Sequence, residues 1–236
     1  MNHILLRVPR RLRHEISVRR AASELRVGAP RSLDKALDYA FSATPGSFEL
    51  RPVQIRSEIR DFLALVQGLR PKAVLEIGTA RGGTLFLLTR VAAPDATLVS
   101  VDLSSRTDRR FAGRDVRRRR PLFRSFALDR QRIHFLVGDS HAVRTFKHVE
   151  RKLGGRKVDL LFIDGDHTAE GVRRDFELYG KLVRPGGVIA LHDIVDGPAE
   201  DVGGVPDFWR SIRTPKAQEF VADYGQGGYG IGVLRP

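Results

Sequence analysis

No cysteine occurs among the 236 residues. Disulfides, thiolate zinc sites and cysteine nucleophiles are therefore excluded, and an intracellular, cofactor-using enzyme fits this composition. No apolar run reaches membrane-spanning length, so no transmembrane segment is expected. The N-terminus, Ile4-Leu5-Leu6 followed by Arg7, Arg10, Arg11 and Arg13, lacks the apolar h-region of a secretory signal, and a cytoplasmic location is the expectation. Lysine is scarce, since 34 of the 41 basic residues are arginine. No internal repeat is visible.

Apolar residues at 42% and aromatics at 8% suffice for a packed core, and the length suits one full α/β domain with a small N-terminal extension. The net charge of +13 resembles a nucleic-acid signal until its distribution is read. Residues 1–31 carry +6 and residues 106–132 carry +8, which leaves about −1 for the rest. The basicity is local.

The first thirty residues suit a basic amphipathic helix and Leu33–Phe41 a second, with a break at Ala43-Thr-Pro-Gly-Ser47. A solvated helix, or one docked on the domain or on a second subunit, fits better than interfacial membrane binding by residues 4–20. Domain boundaries of 1–50 for the extension and 51–236 for the main domain follow. From residue 52 the pattern alternates. Ile55, Ile59, Phe62, Val66 and Leu69 recur at helical spacing up to Pro71. Strands are expected at 73–77, 97–101, 133–137, 158–163 and 188–191. Helices are expected at about 83–92, 141–153 and 168–183. Near-continuous apolar strands separated by helices mean a parallel sheet covered on both faces. Residues 219–222 and 229–234, joined across Gly225–Gly228, read instead as a hairpin.

The most informative stretch is 73–84, Ala-Val-Leu-Glu-Ile-Gly-Thr-Ala-Arg-Gly-Gly-Thr. An apolar strand ends at Glu76 and runs into a glycine-rich loop and a helix start, the arrangement by which an α/β sheet offers backbone N–H groups to a nucleotide-like ligand. A dinucleotide fingerprint requires Gly-x-Gly-x-x-Gly; Ala80 occupies its second glycine position, and Glu76 is foreign to it. Later strands end in Asp102, in Asp139-Ser140, in Asp164-Gly-Asp-His167 and in His192-Asp193. Ligands on such sheets bind beyond these carboxyl ends. Asp166 or Thr168 alternatively caps the next helix, and Asp139-Ser140 the helix at 141–153.

Glu76-Ile-Gly-Thr-Ala-Arg-Gly-Gly, Ile163-Asp-Gly-Asp-His-Thr and Gly187-Val-Ile-Ala-Leu-His-Asp, in this order, resemble class I S-adenosylmethionine-dependent methyltransferases. The similarity is to their O-methyltransferase branch, which includes catechol-type enzymes and the proteins called cephalosporin-hydroxylase-like, and it covers roughly residues 50–236. It implies a Rossmann-like, doubly wound, mostly parallel seven-stranded sheet with a terminal antiparallel hairpin. It also implies S-adenosylmethionine as cofactor. Glu76 and the loop residues Gly78, Thr79, Ala80, Gly82, Gly83 and Thr84 would surround its methionine portion, Asp102 its ribose, and Asp139 and Ser140 its adenine. Asp164 would sit beside the cofactor. No phosphate-cradling Gly-Lys-Ser/Thr is present, as a sulfonium cofactor requires none.

Asp164, His192 and Asp193 form an oxygen-rich set suited to Mg²⁺ or a similar divalent cation, with His192 standing where the family commonly has an acid. A cation lowers the pKa of an acceptor hydroxyl, and His167 is the candidate base, with His192 second. Each histidine alternatively serves only as a structural hydrogen-bonding group. The expected substrate is a small-molecule hydroxyl: sugar, phenol or natural product. A homodimer is compatible with this reading.

Residues 103–132 are long for a connection and hold the block Arg117–Arg120 with Phe111, Phe123 and Phe126 interspersed. A solvated surface, a lid for an acidic substrate, or a nucleic-acid surface all fit. Asp164-Gly-Asp-His replaces the Asn/Asp-Pro-Pro-Tyr/Phe of base N-methyltransferases, which leaves ribose 2′-O methylation as the alternative on nucleic acid. A non-catalytic binding module is the rival outside enzymes. Trp209, within residues 201–215, either lines the acceptor pocket or packs in the core.

Overall fold

Apolar runs buried on both faces build the centre of the computed structural model, which describes residues 10–103 and 119–236. The start of the expected basic helix (1–9) and most of the arginine-rich insert (104–118, with Phe111, Arg117 and Arg118) lie outside the described residues. The parallel strands are β1 (Ala73–Ile77), β2 (Thr97–Asp102), β3 (Arg132–Val137), β4 (Val158–Ile163) and β5 (Val183–His192), with β6 (Gln218–Phe220) and β7 (Ile231–Leu234) at the edge. Their order is β3-β2-β1-β4-β5-β7-β6. Neighbours among β1–β5 pair in parallel, while β7 runs antiparallel to both β5 and β6. The chain winds outward from β1 to β3, then crosses back to β4. That reversal opens a crevice at the carboxyl ends of β1 and β4.

The helices are α1 (Arg10–Gly28), α2 (Leu33–Ser42), α3 (Arg56–Leu69), α4 (Gly83–Val91), α5 (Arg120–Arg124), α6 (Val143–Leu153), α7 (Ala169–Gly180), α8 (Ala199–Val202) and α9 (Val205–Ile212). Side chains alternate across each strand, so Val74 and Leu75 serve different layers. Val74, Leu98 and Phe162 face α1–α5; Leu75, Val99 and Leu161 face α6, α7 and α9. α1 and α2 are part of the first layer: Val18, Ala21, Leu25 and Leu37 are buried in the same cluster as Phe62 and Phe86.

Several details differ from the sequence expectation. β5 starts at Val183, before the Pro185-Gly186-Gly187 turn. Pairing steps from Val158↔Val183 to Leu160↔Val188, so residues 184–187 bulge out of the strand. The preceding helix accordingly stops at Gly180. Phe123 and Phe126 are interior: their rings stack edge-on with Phe135 at 4.8 Å and Phe86 at 5.5 Å, which removes both from any base-stacking surface. Trp209 is likewise a core residue, with its indole N–H donating to Glu219 Oε1 at 2.6 Å.

Candidate active site

The loop after β1 needs a residue without a side chain at Gly78. Its φ is +92°, and a Cβ there would fall 1.8 Å from the Asp164 carbonyl oxygen. Ala80 also has positive φ (45°), and its N–H donates to Asp102 Oδ2 at 3.0 Å. The other loop residues face inward. Thr79 and Ser100 share a short hydroxyl contact, and Ser100 donates in turn to Glu76. Gly82 lies against the Phe123 ring, Gly83 backs onto Leu50 and Pro52, and Thr84 donates to Gln54 Oε1 at 2.8 Å. Glu76, Thr79, Gly82, Gly83 and Thr84 thus stand behind the loop rather than on the crevice. The resemblance of the Glu76–Gly83 motif marked them, and a tightly packed loop carries the same glycines as a ligand-facing one.

The crevice is a cavity of about 620 Å³ lined by Gly78, Ala80, Asp102, Asp139, Ser140, Asp164, His167 and Asp193, among others. That volume is ample for a nucleoside-sized ligand with room beside it. Asp102, at the end of β2, has its pKa pushed up to about 6 by burial, against the pull of the Ala80, Leu103 and Thr79 amides. Asp139 is exposed and accepts from the His141 backbone N–H at 2.9 Å. Thr168, not Asp166, is the side-chain cap of α7: it accepts from Gly171 N–H, while Asp166 accepts from Thr168 N–H.

At the other end of the crevice the acidic and imidazole groups meet. Asp164 Oδ1 lies 3.2 Å from His192 Nδ1 and 3.6 Å from His167 Nε2, and Asp193 Oδ2 lies 3.6 Å from His167 Nδ1. Burial pushes Asp164 up, but His192 and His167 outweigh it and hold the carboxylate below its ordinary range. Burial lowers both histidines, and the same carboxylates overcome it, raising His167 to about 9 and His192 to about 10. Asp193 holds a positive φ of 60°, a strained backbone that aims its carboxylate inward.

The grouping differs from the expected one. One ligand atom each from Asp164, His167 and Asp193 lies within 4.8 Å of the others. His192 is buried, does not line the cavity, and turns Nδ1 toward the two carboxylates from behind, 3.3 Å from Asp193 Oδ1. His167, rather than His192, is thus the imidazole grouped with the two carboxylates at the cavity. Both ring nitrogens of His167 face carboxylates, Nε2 toward Asp164 and Nδ1 toward Asp193. Gln54 was not foreseen: it bridges Asp164 Oδ2 (2.8 Å) and Thr84, and no motif marks it. Glu49, Arg51 and Val53, which straddle the expected boundary between residues 50 and 51, also line the cavity.

A methyltransferase-domain family matches residues 75–194, just over half of the chain. The chain is 38% identical over 72 residues to the uncharacterized protein R132 of Acanthamoeba polyphaga mimivirus, covering 30% of this chain and 28% of that one. It is 31% identical over 153 residues to the uncharacterized protein y4gI of Sinorhizobium fredii, covering 63% of this chain and 16% of that one. The chain thus spans less than a third of the length of these curated relatives. The fold is similar to that of the O-methyltransferase TomG of Streptomyces achromogenes, involved in tomaymycin synthesis and solved with S-adenosylmethionine (TM-score 0.54, 21% identity, 85% of this chain and 87% of that one). The matched residues run from inside β1 to just past β5 and carry every strand end that lines the crevice; the chain belongs to the methyltransferase-domain family, on the class I S-adenosylmethionine-dependent methyltransferase fold.

Proposed function

We propose that the chain transfers a methyl group from S-adenosylmethionine to a hydroxyl of a small molecule, a sugar, phenol or natural product. One observation carries this reading: Asp102, Asp139 and the Asp164–His167–Asp193 cluster line one cavity. The cofactor would supply an electrophilic methyl on a sulfonium, which leaves the protein to position an acceptor and help remove its proton. Asp102 is placed to accept from ribose hydroxyls and Asp139 from an exocyclic amine, while Gly78 lets the backbone come close.

Two carboxylates and an imidazole with converging ligand atoms fit a divalent cation, which Asp164, His167 and Asp193 would hold. Such an ion makes a coordinated hydroxyl more acidic. His192 would then steady both carboxylates from behind.

Screening hydroxyl acceptors with methyl-labelled cofactor, with and without chelator, tests the reading. Asp193→Ala is expected to abolish stimulation by Mg²⁺, and a variant still stimulated would contradict the metal assignment. Failure of S-adenosylhomocysteine to bind at all would remove the whole proposal. A ribose 2′-hydroxyl of RNA is the second reading. It is favoured by the packing of α1 on α5, which brings the two basic stretches together with Arg20, Arg26, Arg120 and Arg124 exposed. An RNA arm in the same screen, run at two salt concentrations, decides between them.

A further inference from the structure

Gln54 is buried in the segment that leads into α3, and it does not line the cavity. Its amide is nevertheless fully directed. Nε2 donates to Asp164 Oδ2 at 2.8 Å, and Oε1 accepts from the Thr84 hydroxyl at 2.8 Å. An ionised Asp164 accepts only, so turning the amide over would set its carbonyl oxygen against a carboxylate. The amide therefore has one orientation. Packing alone would be served as well by a leucine, which carries no polar group into the interior.

The bond decides how Asp164 faces the cavity. Oδ2 is turned onto Gln54, and Oδ1 is the oxygen that lies 3.6 Å from His167 Nε2 and 3.2 Å from His192 Nδ1. His192 approaches Oδ1 from behind, which leaves a second lone pair of that oxygen for the cavity. With its rotation blocked, Asp164 offers a cation one oxygen. Asp193 is arranged alike, since its Oδ1 faces His192 Nδ1 at 3.3 Å and its Oδ2 faces His167 Nδ1 at 3.6 Å. Mg²⁺ and ions of its size take about six ligands in octahedral order. Ca²⁺ is larger, accepts about six to eight, and readily takes both oxygens of one carboxylate.

We infer that Gln54 is a positioning residue that makes the site select small octahedral cations such as Mg²⁺ or Mn²⁺ over Ca²⁺, by holding Asp164 to a single ligating oxygen. The inference rests on the divalent-cation reading proposed above and adds the basis of its selectivity. Without the amide, the Asp164 carboxylate turns and both oxygens become available. The site then loses its preset octahedral direction and gains a two-oxygen mode that suits Ca²⁺. The imidazole nitrogen of His167 also disfavours Ca²⁺, but that contribution stays the same when only residue 54 changes.

The test is calorimetric titration of manganese chloride and calcium chloride into the full chain and into Gln54→Leu. The wild type is expected to bind Mn²⁺ more tightly than Ca²⁺. The variant is expected to lose about 10- to 100-fold in Mn²⁺ affinity, the usual effect of removing the partner of a ligating group, with Ca²⁺ affinity kept or improved. The preference thus narrows by at least about tenfold. Equal loss for both ions marks Gln54 as a brace for the loop and overturns the inference, as does an unchanged preference. A wild type that binds neither ion removes the cation reading itself, and the inference with it. Should Gln54→Leu not fold, Gln54→Asn takes its place, because its amide is one methylene too short to reach Asp164. A preference like that of the wild type in this second variant also ends the inference.

Discussion

Glu76 holds a proton at neutral pH. Burial raises its pKa to about 8, the Ser100 hydroxyl offsets part of that, and the charges of Asp164 and Asp102 add to it. Between about pH 4.5 and 8 the native state keeps a proton that the unfolded chain releases, so this group makes stability fall as pH rises through that window. Glu76→Gln removes the slope. Its Tm is expected to match the wild type near pH 5 and exceed it by several degrees at pH 9, each kcal/mol being worth about 2–4 °C in a domain of this size. A constant difference across pH would show that Glu76 is ionised when folded. Asp102 behaves differently because it faces the cavity. Its raised pKa of about 6 means that the carboxylate able to accept from ribose hydroxyls is incompletely formed below that pH. Affinity for S-adenosylhomocysteine is therefore expected to climb from pH 5 to 7, with a midpoint near 6. Asp102→Asn should bind more weakly and lose that rise in calorimetric titrations at each pH. A parallel rise in the variant would assign the titration to another group.

The loops after the strands carry the site, and their shapes follow from what they touch. Gly78 is the tightest case, since its φ of +92° and the Asp164 carbonyl leave no room for a methyl group. Gly78→Ala is expected to cost several kcal/mol, read as a loss of urea midpoint with unchanged m-value; a cost under about 1 kcal/mol would mean that the β1 and β4 loops part easily. The sheet was readable in advance because buried parallel strands leave long apolar runs, and Asp102, Asp139, Asp164 and Asp193 stood out because each ends such a run. The facing of individual residues was not readable. Glu76, Thr79 and Thr84 have polar partners drawn from β2 and from the segment before α3, far away in sequence. Which of His167 and His192 lines the cavity was hidden for a comparable reason. Each is one imidazole near two carboxylates, and only the packing of β5 decides which is turned inward and buried.

At the scale of the whole molecule, the N-terminal helices hold up the front of the cavity. Glu49, Arg51 and Val53 line it, and the chain leading to them turns at Pro45–Ser47. α1 grips that turn: Ser17 donates to the Gly46 carbonyl, and Gly46 N–H donates to Glu24 Oε2 at 2.7 Å. Gly46 takes φ +53°, and a Cβ there would lie 2.6 Å from the backbone of both Ala21 and Ser17. Residues 1–31 carry a net charge of +6, yet the buried stripe Val18, Ala21, Leu25 ties α1 to the core beside Phe86, the docked alternative among those the sequence left open. Adding one methyl group at Gly46 must push the turn off α1 or strain both. Gly46→Ala is therefore expected to lower Tm by several degrees and to weaken S-adenosylhomocysteine binding severalfold, although the residue touches no cavity atom. Both effects should shrink together if α1 is cut back to relieve the clash at Ala21, because the same contact causes them. A lowered Tm with unchanged binding would show instead that segment 49–53 keeps its place without α1, and that the extension contributes stability alone.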